Sequence, residues 1–66
     1  MDSRLRAVLY GNPKTSPSSW TNGRVTVRYS MSEDLWTWKA ADGKSGFSDM
    51  SEAILRDIAP YLRKNP

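Results

Sequence analysis

The chain has 66 residues, no cysteine and no histidine, and a formal net charge of +3. A chain of this size makes one domain, here taken as 1–66, and must be held by packing, because disulfides and ordinary zinc sites are excluded. The same two absences remove the usual catalytic bases and nucleophiles, and the serines have no activating base. The expectation is therefore a protein that is not an enzyme and carries no cofactor or metal.

The positive charge is unevenly spread. The first 33 residues hold five basic side chains against two acidic ones, whereas the remaining 33 balance five against five. Such asymmetry points to an anionic partner. No apolar run resembles a signal peptide or a membrane span, so a cytoplasmic protein without membrane contact is expected, as a monomer or weak homodimer.

In chain order, Arg4 to Tyr10 alternates Leu5, Ala7 and Leu9 with Arg4, Arg6, Val8 and Tyr10, which reads as a first strand. Residues 11–23 are rich in Pro, Ser, Thr and Asn and read as a long flexible loop carrying Trp20, closed by an Asn22-Gly23 turn. Arg24 to Ser30 is the clearest strand, with Val25, Val27 and Tyr29 on one face and Arg24, Thr26 and Arg28 on the other. After a four-residue connection, Leu35 to Ala40 forms a third strand with Trp36 and Trp38 on one face.

Asp42-Gly43 is a hairpin signal, and Lys44 to Phe47 is a possible fourth strand weakened by Gly46. A helix follows, capped by Asp49 with Glu52 or by Ser48 with Ser51, and carrying an apolar stripe of Ile54, Leu55, Ile58 and Leu62. Pro60 is expected to kink or break it, leaving Tyr61 to Lys64 as one further turn.

These elements define an α+β fold, a three- or four-stranded antiparallel sheet packed on one face by a single C-terminal helix. Leu5, Ala7, Leu9, Val25, Val27, Tyr29, Trp36 and Trp38 are expected inside. By subtraction the outer face carries Arg4, Arg6, Arg24, Arg28 and Lys39, five cations without a carboxylate, together with Thr26 and Thr37. Val8, Tyr10 and Leu35 fall among them as an apolar trio.

Arginine and threonine on an exposed sheet are suited to base edges and phosphates in the DNA major groove. The expected function is that of a small DNA-binding accessory or regulatory protein of phage or mobile-element type, which contacts duplex DNA through Arg4, Arg6, Arg24, Thr26, Arg28 and Lys39. In architecture the arrangement resembles integrase arm-binding domains. Asp42-Gly43-Lys44, Gly46-Phe47 and Glu52-Ala53 are similar to the end of such domains, with a shorter hairpin between the halves. The resemblance implies DNA binding by the sheet. The alternative is a small phage-type inhibitor or adaptor that docks on a host protein through its sheet edge, its 11–23 loop and Trp20, with Tyr10 and Leu35 as further contacts.

Overall fold

The structure is a computed structural model that describes residues 2–63. Its elements are α1 (Ser3–Tyr10), β1 (Ser19–Thr21), β2 (Val25–Ser30), β3 (Leu35–Ala40), β4 (Ser45–Ser48) and α2 (Ser51–Leu62). The four strands form one antiparallel sheet in sequential order. The α+β class and the antiparallel sheet followed by a C-terminal helix stand as expected, with four strands of the three or four expected, but the helices are two and not one. Two elements differ.

The first difference is Arg4 to Tyr10, which is helix and not strand. Its apolar residues fit both periods, but the helical set of Leu5, Val8 and Leu9 is the one buried. Asp2 settles the choice locally. Its carboxylate accepts hydrogen bonds from the backbone N–H groups of Arg4 at 2.7 Å and Leu5 at 3.3 Å, satisfying two donors that a helix start leaves unpaired. Ala7 is only half-buried and Val8 lies in the core, so the apolar trio expected outside does not exist.

The second difference lies in residues 11–23. The loop is shorter than expected, because Ser19–Thr21 forms β1 and pairs Trp20 with Val27. Within 11–18, the Asn12 side-chain oxygen accepts from Lys14 N–H, and Asn12 carbonyl accepts from Thr15 and Ser16. The turn into β2 is built on Asn22 and on Gly23, whose φ of +88° suits a residue without Cβ. The Asn22 side-chain oxygen accepts from the N–H groups of Arg24 and Val25. Gly43, with φ of +95°, does the corresponding work between β3 and β4.

Both helices lie on one side of the sheet. Trp20, Val25, Val27, Trp38 and Ala40 face inward by alternation and join Leu5, Val8 and Leu9 of α1 and Ile54 and Ile58 of α2 in one core. Burying each large aliphatic side chain contributes about 1.5–3 kcal/mol, which is the main stabilising term in a chain without staples. Two tryptophans tie the layers together. The Trp36 indole N–H donates to the Val8 carbonyl at 3.1 Å, and the Trp38 ring packs 6.0 Å from that of Tyr61.

The start of α2 also differs in detail from expectation. Met50 is the N-cap without a side-chain cap bond, and the Ser48 hydroxyl accepts from Met50 N–H just outside the helix. The helix continues through Pro60 to Leu62 without the break expected there, although Pro60 has no N–H to give the Arg56 carbonyl one turn earlier. Lys64, assigned above to a further turn, lies outside the described residues. Among the described residues, no helix is long and apolar enough to cross a membrane.

Candidate nucleic-acid interface

With both helices inside, the other side of the sheet is bare among the described residues. The register arranges its side chains in transverse rows. One row runs Ser19, Arg28, Thr37, Phe47 and the next runs Thr21, Thr26, Lys39, Ser45. Strands about 4.8 Å apart make the distance from β2 to β4 roughly 10 Å, and successive rows on one face stand about 6.8 Å apart. No carboxylate occurs in either row.

Arg28, Thr37, Lys39 and Phe47 are exposed, whereas Thr26 is half-buried. Together with Arg24 they line an open concavity of about 870 Å³. A second groove of about 600 Å³ continues around the β1 edge, bounded by Arg4, Ser19, Thr21, Thr26 and Arg28. Asp2 also borders this groove, and its carboxylate is occupied in capping α1. The Thr26 hydroxyl donates to the Thr21 hydroxyl at 3.1 Å, and Thr21 in turn donates to the Val25 carbonyl at 3.1 Å, so this end of the face is held rigidly.

The six cationic or polar residues expected at the interface are thus sorted by the fold. Thr26, Arg28 and Lys39 stand on the outer face of the two central strands, β2 and β3. Arg24 borders the concavity from just before β2, and its guanidinium donates to the Arg63 carbonyl at 2.6 Å, reaching toward the helix side. Arg4 reaches the β1 groove from the first turn of α1. Arg6, two residues on and turned to the other side of the helix, borders neither groove. The expected five-cation strand face is corrected accordingly: α1 is a helix, so Arg4 and Arg6 are not neighbours on a pleated surface.

The residues expected to dock a host protein are dispersed. Trp20 is 8% exposed and belongs to the core. Leu35 is half-buried on the outer face opposite Ser30, and Tyr10 closes α1 on the inner side, in a small cleft with Tyr29 and Trp36. Trp36 and Trp38 face inward and offer no outer stacking platform.

One interface residue was absent from the sequence reading. Phe47 is 71% exposed in the middle of β4, opposite Thr37. The Asp42-Gly43 turn contains the signal, since a hairpin pairing Lys39 with Ser45 places Phe47 on the same face as Lys39. No family model, curated protein or solved structure matches this chain.

Proposed function

We propose that this protein binds duplex DNA through the outer face of its sheet, as a small non-enzymatic accessory or regulatory protein of the kind carried by phages and mobile elements and active in the cytoplasm. The observation that carries the reading is the pair of outer rows in which Arg28 and Lys39 stand exposed with no carboxylate among them. Lining residues Arg24 and Arg4 extend the positive surface at two of its margins. Of the four strands, the central pair β2 and β3, about 4.8 Å apart, carries Thr26, Arg28 and Lys39, and a two-stranded ribbon of this width enters the roughly 12 Å major groove.

The competing reading, docking on a host protein, loses the anchor it was built on, because Trp20 is a core residue. The test is anisotropy of a labelled duplex titrated with the protein at low and at moderate salt. Binding in low salt that weakens steeply as salt rises is expected, since each neutralised phosphate releases counterions. No binding at micromolar protein in low salt overturns the proposal.

A further inference from the structure

Phe47 is the chain's one phenylalanine, and it is left 71% exposed in a pair of rows otherwise made of threonine, serine and cations. Phosphate offers such a ring nothing to bind, so a ligand that covers it must present an apolar group there. The position within the register is specific. Phe47 pairs with Thr37, and Thr37 pairs with Arg28, so one row presents a guanidinium, a hydroxyl with its methyl, and a phenyl ring. The neighbouring row of Thr26, Lys39 and Ser45 has no large apolar group.

The floor of the major groove has one apolar feature, the 5-methyl group of thymine, which phenylalanine and threonine contact. Arginine bonds the O6 and N7 atoms of guanine in pairs. We infer that the row of Arg28, Thr37 and Phe47 reads base edges, with Phe47 seated on a thymine methyl and Arg28 on a guanine. Lys39 and Arg4 hold the phosphates and set the register of the protein on the duplex. This assignment rests on the duplex-binding reading above and turns it into sequence preference. Arg28 and Phe47 are roughly 10 Å apart across two strand spacings, so the guanine and thymine lie within a few base pairs of each other.

The experiment starts with immobilised wild-type protein selecting from a pool of short random-sequence duplexes. The selected duplexes are then remade with uracil in place of thymine, one position at a time, which removes only the methyl group. Enrichment of a site with a thymine and a guanine at fixed separation is expected. Uracil at that thymine weakens binding about four-fold, the value of one buried methyl group. Phe47→Ala, folded by circular dichroism, still binds DNA but no longer distinguishes thymine from uracil. Phe47→Leu keeps part of the distinction.

Three results overturn the inference while leaving DNA binding intact. They are selection without any sequence preference, uracil sensitivity unchanged in Phe47→Ala, and tighter binding of single strands than of duplexes, which would make Phe47 a stacking platform for unpaired bases. Failure to bind any duplex defeats the proposed function itself and the inference with it.

Discussion

Gly46 lies directly opposite Trp38 in the β3–β4 ladder, and the Trp38 indole occupies the space a side chain at Gly46 would need. A Cβ there would stand 2.6 Å from Nε1 and 2.9 Å from Cε2 of the ring. Trp38 is 9% exposed, and its Nε1–H has no hydrogen-bond partner among the described residues, so the ring is placed by shape and not by polar contact.

Gly46→Ala is therefore destabilising. Replacing glycine reduces the freedom of the unfolded chain, which favours the fold by about 0.4–1 kcal/mol. Forcing a methyl group against a buried ring costs about 1–3 kcal/mol, and this term wins because the ring has no free end to move. Thermal unfolding should show Tm lowered by several degrees, as each kcal/mol is worth about 4–8 °C in a domain of this size. An unchanged or raised Tm contradicts the packing described.

Trp20 gives a second stability test, and it separates core from interface. Truncating a buried tryptophan to alanine costs about 3–5 kcal/mol, a large share of the stability of any small domain. Trp20→Ala should lose cooperative unfolding or shift it far downward in urea. A stable, folded Trp20→Ala protein would mean that this side chain is not part of the core.

The pH profile follows from two tyrosine–aspartate pairs. The Lys44 backbone N–H, donating to Asp42 at 3.0 Å, and the Tyr61 hydroxyl, donating at 2.7 Å, hold the Asp42 carboxyl below its usual value of 3.8. Tyr61 is raised above 10.0 by its bond to Asp42, and Tyr29 by its bond to Asp34 at 2.5 Å. For Asp42 the folded chain holds its proton less tightly than the unfolded chain, so this contribution is present above pH 3.8 and lost as pH falls through the depressed value. For the tyrosines the sign is opposite, and the contribution is present below pH 10.0 and lost as pH rises through the elevated values. Urea midpoints should therefore be level between these limits and fall outside them. Asp42→Asn should flatten the acid limb, and an acid limb identical to wild type refutes the assignment.

Much of the fold was legible before the structure, and the exceptions have identifiable causes. β2 and β3 were plain because six residues of alternating valine, tyrosine or tryptophan leave one buried face. Seven residues from Arg4 to Tyr10 were too few for periodicity to decide, since Leu5 and Leu9 suit both helix and strand. The deciding group, the Asp2 carboxylate, lies just outside the window in which alternation is judged. β1 was hidden because three residues in a polar stretch carry no period, and only Trp20 ahead of the Asn22-Gly23 turn marked it.

The candidate site suffered from the same ambiguity. Reading α1 as a strand placed Arg4 and Arg6 on the sheet, where the helix instead turns Arg6 away and leaves Arg4 at the β1 edge. Arg28, Lys39 and Thr26 were legible because their strands were. Phe47 was overlooked because Gly46 made β4 look weak, although that glycine is there to receive Trp38.

The most direct test of the outer-face account is the salt dependence of duplex binding in three single variants, measured by anisotropy. Lys39→Ala should weaken binding and reduce the slope of log affinity against log salt by about one, the signature of one lost phosphate contact. Arg28→Ala, which removes the guanine contact, should weaken binding to the selected site with little change of slope. Arg6→Ala, exposed but bordering neither groove, should keep both the affinity and the slope of the wild type. If Arg6→Ala weakens binding as much as Lys39→Ala, or if Lys39→Ala leaves the slope and Arg28→Ala the affinity unchanged, the outer face of the sheet is not where DNA is held.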